Sequence, residues 1–201
     1  MYLRRSLMVR AIFIVLWALG VWVQPVRAAD EPSAVMLVAT PEMTDPVYGA
    51  TVLVARPFGN DQYIGFIVNK PTTVTLAEAF PEHIPSRKVV DPIFLGGPDQ
   101  VNAVFALVQS KTSPGEGSMQ LAPDLYIVIA GDTVDQVIEH EPEHARFLFG
   151  AVVWQPGELE AEIKRGAWYV DQPETNLMMR KETGSLWKEL VQKLKVRRNA
   201  I

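Results

Sequence analysis

His140-Glu141-Pro142-Glu143-His144 has the spacing H-E-x-x-H. In a zinc protease that spacing works because a helix brings two imidazoles, one turn apart, onto one metal while the glutamate activates water. Pro142 stands between the two histidines, where it costs a helix roughly 3 kcal/mol. The segment also falls where a helical pattern ends and an apolar strand begins at Arg146. We read it as a polar connector and expect no metal there. Glu158, Glu160 and Glu162 are the next candidates, as carboxylates for acid–base work or cation binding. Residues two apart on a helix do not face each other, so only Glu158 and Glu162 share a side. Acidic residues in a first helical turn also answer the partial positive charge of the exposed amides, and a solvated helix face is the simpler reading. Three histidines without local context do not make a Ser-His-Asp set, and with no cysteine there is no thiolate nucleophile. We assign no catalytic residue, no metal and no cofactor. Enzymatic activity stays open, leaning against; the rival is a hydrolase using Glu158 and Glu162, or His140 and His144, with or without a metal.

Binding chemistry is more evenly balanced. Residues 65–71 run from a buried strand (Phe66, Ile67, Val68) into Asn69, Lys70 and Pro71, and Phe94-Leu95 runs into Gly96, Gly97 and Pro98. Proline lacks a backbone donor and disfavours helix before it, so both strands are expected to stop there. The ordinary explanation is turn chemistry, since Asn and Gly tolerate unusual backbone conformations. The functional one is a shared rim on which Lys70 and the glycine amides meet an anionic group or a peptide carbonyl. Trp154, Glu158 and Trp168 flank the same region; the two tryptophans serve either as core and lid packing or as a stacking pair. The candidate binding set is therefore Asn69, Lys70, Gly96, Gly97, Trp154, Glu158 and Trp168. Lys193, Lys195, Arg197 and Arg198 read as a solvated terminus.

These residues need a scaffold made mostly of strands. Val35–Ala39 is a continuous apolar run. Residues 51–55 and 63–69, joined by loop-forming residues 57–61, read as a β-hairpin. Residues 93–95, 104–109 and 125–130 are further strands, with an exposed loop over 113–118. Thr75 and Glu78 have capping-box spacing before a short helix that Pro81 closes. Asp132 or Thr133 is expected to cap a helix through Glu139, with Val134, Val137 and Ile138 on one face. Residues 146–154 form a long apolar strand. Pro156 is expected just inside the next helix, where Leu159 and Ile163 point inward and Gly166 is the C-terminal stop. Ser185 opens a final amphipathic helix carrying Leu186, Trp187, Leu190 and Leu194. Strands and short helices mix without βαβ alternation, which gives an α+β class with a mainly antiparallel, barrel-like sheet.

Apolar residues at 48% and charged residues at 21% are globular values, and a formal charge of −4 argues against a phosphate-binding surface spread over the whole fold. At the N-terminus, Arg4, Arg5 and Arg10 precede an uncharged apolar run over 11–23, then Pro25 and the small residues Ala28 and Ala29. That is the layout of a signal peptide over 1–28, or else of an uncleaved N-terminal anchor. We expect a periplasmic location, with inner-membrane anchoring, or a cytoplasmic location if the signal is unused, as the alternatives. The rest, 29–201, reads as one domain.

Asp45-Pro46, the 65–71 run, Gly96-Gly97-Pro98, and Gly150, Trp154, Gly157-Glu158-Leu159-Glu160, Glu162-Ile163 and Trp168 occur in this order over about residues 35–176. In these motifs the chain resembles the YqgE/AlgH family of bacterial proteins. The resemblance implies an α+β fold with a small β-barrel flanked by short helices. It implies little about activity, since the family is largely uncharacterised and its label is that of a transcriptional regulator of alginate synthesis. The chain departs from the family pattern at Pro57-Phe58 and at Leu107-Val108, where relatives usually carry histidines, and at Glu158, where they carry Gln. An export signal is a further departure. The reading that follows is a non-enzymatic binding or regulatory module of the cell envelope. Its partner would be a small anionic ligand, a peptide or a protein, with no nucleic acid, and with membrane contact only through the N-terminal segment.

Overall fold

The computed structural model describes residues 33–199; the expected signal segment lies outside them. Ten strands are present among these residues: β1 Val35–Ala39, β2 Val52–Pro57, β3 Tyr63–Ile67, β4 Pro71–Thr75, β5 Pro92–Leu95, β6 Asp99–Gln109, β7 Ser118–Ala122, β8 Leu125–Val128, β9 Ala145–Trp154 and β10 Trp168–Asp171. Five helices accompany them: α1 Leu76–Ala79, α2 Gly131–His140, α3 Glu158–Lys164, α4 Thr175–Met178 and α5 Leu186–Asn199. Short 3₁₀ turns lie at Ile84–Lys88 and Pro142–His144.

The main sheet runs β10-β1-β2-β3-β9-β6-β8-β7, with every neighbouring pair antiparallel. β4 and β5 form a side leaf attached to β9, where Phe94 faces Leu148 in a parallel pairing. The sheet curls into a half-barrel, and the chain is α+β as the sequence implies.

β9 is the strand on which this topology depends. Its first half pairs with β6 and its last residues with β3. Gly150 sits between the halves at φ +71°, a conformation that glycine adopts without a Cβ penalty.

Both faces of the central strands are buried, which explains the unbroken apolar runs. Alternation then sorts each strand between two cores. Met36, Val38, Val52, Val54, Phe105 and Leu107 face one core, which α4 and α5 cover with Met178, Leu186, Leu190 and Leu194. Leu37, Ala39, Leu53 and Ala55 face another, beneath α3 and the 41–50 loop. A third core packs α1 and α2 on Ile93, Ala106, Val108 and Phe147. Trp187 Nε1 donates to the Ala39 carbonyl at 2.8 Å and ties α5 to β1.

Several local expectations agree with the structure. β1, the β2–β3 hairpin, the Thr75/Glu78 capping box, the buried Val134-Val137-Ile138 face and the Gly166 stop (φ +81°) are all present. Others need correction. Pro71 opens β4 rather than ending strand structure, because a strand's first residue can dispense with its N–H. The cap of α2 is Ala130, with no side-chain bond; Thr133 Oγ1 donates instead to the Glu116 carbonyl at 2.8 Å. Pro156 lies in the turn before α3, whose cap is Gly157. β7, β10 and α4 are short elements that periodicity did not mark.

Candidate functional site

Asn69 and Lys70 lie against the 41–50 loop, and their polar groups bond within the protein. Asn69 follows β3, and its side chain continues the sheet in place of backbone. Oδ1 accepts from the Val52 amide at 2.8 Å, while Nδ2 donates to the Ala50 carbonyl at 3.0 Å. Asp45 Oδ1 accepts from the amides of Val47 and Tyr48 and folds the loop's middle. Lys70 Nζ then donates to the Val47 carbonyl at 2.5 Å. Burial lowers the pKa of this ammonium, and the Asp45 carboxylate partly opposes the shift.

Gly96 and Gly97 serve a close crossing over β9. The Gly96 amide donates to the Phe149 carbonyl at 2.7 Å, and its own carbonyl accepts from the Ile67 amide at 2.8 Å. A Cβ on Gly96 would lie 2.2 Å from the Gly150 carbonyl oxygen, and one on Gly97 2.1 Å from that of Ala151. Gly96 thus has no amide to offer a ligand, and both positions lack a side chain because backbone occupies its place.

Trp154 and Trp168 are 4% and 5% exposed, so neither presents a face for stacking. Their indole N–H groups converge on one carboxylate oxygen. Trp154 Nε1 donates to Glu162 Oε2 at 3.0 Å and Trp168 Nε1 to the same atom at 2.8 Å. Arg165 Nη2 donates to Glu162 Oε1 at 2.8 Å. Glu158 is used differently: its Oε2 accepts from the Gln155 amide at 2.7 Å. The two carboxylates one turn apart are therefore committed to separate structural partners rather than paired for proton transfer. The Tyr48 ring meets Trp168 edge-on at 6.4 Å. Burial raises the Tyr48 phenol, as do the nearby carboxylates of Asp99, Glu162, Asp45 and Glu158.

The structure thus links Lys70, through Val47 and Tyr48, to Trp168, Glu162 and Trp154, with Asn69 holding the loop's end at Ala50. Tyr48 is not marked by the sequence, and Glu162, a candidate there only as an acid–base or cation-binding carboxylate, is instead the acceptor for both indoles; the two flanking tryptophans, each needing an acceptor for a buried N–H, were the available signal for that role. Arg146 was missed too. It is 7% exposed and donates Nη1 to the carbonyls of Val68 (2.8 Å) and Met178 (2.7 Å) and Nη2 to that of Arg180, with its guanidinium 4.2 Å over the Phe94 ring. Its signal was a lone charge opening an otherwise apolar strand.

The H-E-x-x-H segment is a connector, as expected. α2 ends at His140, Glu141 leaves helical geometry at φ −138°, ψ 41°, and Pro142–His144 is a separate 3₁₀ turn. His140 Nδ1 lies 2.9 Å from the Gln136 carbonyl, and His144 Nε2 lies 3.9 Å from Glu143. Among the described residues no three His, Asp or Glu side chains are grouped to hold a metal.

Comparison with known proteins gives a consistent picture. A UPF0301 protein of Serratia proteamaculans is 25% identical over 167 residues, covering 79% of this chain and 89% of its own. One from Chlorobaculum tepidum is 27% identical over 159 residues, covering 78% and 83%. The solution structure of the AlgH protein from Pseudomonas aeruginosa superposes with a TM-score of 0.67 at 21% identity, covering 84% of this chain and 92% of that one. A crystal structure of a Corynebacterium diphtheriae protein gives 0.66 at 19% identity, covering 82% and 88%. With residues 36–199 matching the model of the AlgH-like family, the chain belongs to that uncharacterised family.

Proposed function

We propose that this protein is a non-enzymatic binding or regulatory module of the cell envelope, and that it receives a small anionic ligand at Lys70. The observation that carries this reading is the state of the Lys70 ammonium. One of its three donors goes to Val47 O, and the other two have no protein acceptor among the described residues. Burial weakens the hydration of this cation, so an incoming anion has less water to displace than at a surface lysine. The interlocked loop around it supports binding without rearrangement, because Asn69, Asp45 and the Glu162 clasp already hold the backbone.

Isothermal titration of the full chain and of Lys70→Met with inorganic phosphate and with succinate tests this. We expect saturable heat from at least one anion with the parent protein, and none with Lys70→Met. Equal binding by both proteins, or by neither, refutes the assignment. The envelope location rests on the Arg4-Arg5-Arg10 and 11–23 pattern. Fractionation with N-terminal sequencing addresses it: a product starting near Ala29 outside the cytosol supports it, and one starting at Met1 in the cytosol defeats it.

A further inference from the structure

An opening lies where α1, the Ile84–Lys88 turn and α2 face the start of β6. It is a cleft of about 350 Å³, within the range of small-molecule sites. Leu76, Val134 and Ile138 are its buried apolar lining, and Phe80, 37% exposed, and Val104 add the more accessible apolar part. The walls come from three separate segments of chain, so the cleft is a product of tertiary packing rather than a groove on one helix.

Its polar groups are few and specific. His83 Nδ1 and Ser86 Oγ lie 2.7 Å apart, with Ser86 fully buried, which orients the imidazole at the wall. Asn102 and Asp135 also line the cleft, and their side chains have no protein partner among the described residues. No lysine or arginine lines it, so Asp135 is its only formal charge when His83 is neutral. A carboxylate in the lining repels an anionic head and accepts from an N–H or O–H donor.

We infer that this cleft is a binding site for a small amphiphile: an aromatic or branched apolar body seated against Phe80 and Val104, over the packed side chains of Leu76, Val134 and Ile138, with an amine or hydroxyl head donating to Asp135. Its ligand class is thus cationic or neutral where that proposed for Lys70 is anionic, and the two sites share no residue.

Three indoles that differ in the head group separate the possibilities: tryptamine, tryptophol and indole-3-acetate, titrated into the ¹⁵N-labelled full chain. Tryptamine and tryptophol should shift amides of residues 76–88 and 131–138 saturably, with indole-3-acetate weaker by about tenfold or more. Asp135→Asn should weaken tryptamine and leave tryptophol nearly unchanged. Asn102→Trp, a bulky change at an exposed residue of the lining, should weaken both while the remaining amide spectrum is kept. Equal affinity for the three heads overturns the inference. So do shifts confined to other residues, unaltered binding by Asn102→Trp, or no saturation by about 10 mM.

Discussion

Replacing Arg146 should loosen the C-terminal third of the chain more than any comparable change of a charged residue. Its guanidinium joins the exit of β3 (Val68 O) to two carbonyls around the end of α4 (Met178 O and Arg180 O). Hydrogen bonds from a charged donor contribute about 1.5–3 kcal/mol each, so three of them amount to about 4.5–9 kcal/mol. Against that stands desolvation of the cation, which costs several kcal/mol in a buried site. The cost shows in the pKa of Arg146, pushed down to about 10 by burial, with Asp91 opposing from a distance. Arg146→Met keeps an unbranched apolar stem but removes the guanidinium over Phe94 and leaves the carbonyls without a donor. We expect a loss of about 3–5 kcal/mol, the size found when one side of a buried polar arrangement is removed. Set against a total stability of about 5–15 kcal/mol, that is a large fraction. Arg146→Lys keeps a charge without the planar fork and should lose at least about half as much. Urea denaturation followed by tryptophan fluorescence gives the energies, and hydrogen exchange gives the location, with protection falling first in α4 and α5. If Arg146→Met unfolds within about 1 kcal/mol of the parent protein, desolvation cancels the three bonds and the latch does not exist.

Three other outcomes follow from the geometry. Gly97→Ala places a methyl 2.1 Å from the Ala151 carbonyl oxygen and should destabilise the fold by at least about 3 kcal/mol, whereas Gly131→Ala, with nothing within 4 Å, should be neutral or stabilising by up to about 1 kcal/mol; thermal melts that rank the two alike contradict the crossing. Glu162→Ala strands two buried indole N–H groups and should cost about 2–4 kcal/mol with a red-shifted emission, so an unchanged spectrum and midpoint speak against the clasp. Glu189 is held down to about 2, from the ordinary 4.5, by the hydrogen bond from Arg180 and then that from Ser185. A depressed carboxylate stabilises the fold above its unfolded pKa and loses that contribution as pH falls from about 4.5 to about 2. Glu189→Gln should therefore show a shallower loss of stability across that window, and parallel curves for the two proteins would reject the linkage.

The parts of this protein legible from its residues in order were those set by neighbours within about one helical turn. The Thr75/Glu78 box, the Gly166 stop, the Asp45-Pro46 turn and the apolar run of β1 each carry their own instructions, because the partner group is a few residues away. The class, α+β with an antiparallel sheet, followed from the mixture of such pieces. Tertiary structure decided the rest. Pro71 looked like a terminator until β5 came back to pair beside it, and β10 exists because β1 offers it an edge. Asn69, Gly96, Gly97, Trp154, Glu158 and Trp168 were singled out on residue type, but what each does depends on which backbone or carboxylate the fold delivers to it. Arg146 makes the point most clearly. Its acceptors lie 78, 32 and 34 residues away, and no local rule can say whether a charge at the head of an apolar strand will meet water or three carbonyls. Short-range hydrogen bonding and periodicity are written along the chain, whereas burial and long-range partners arise only when distant segments pack together.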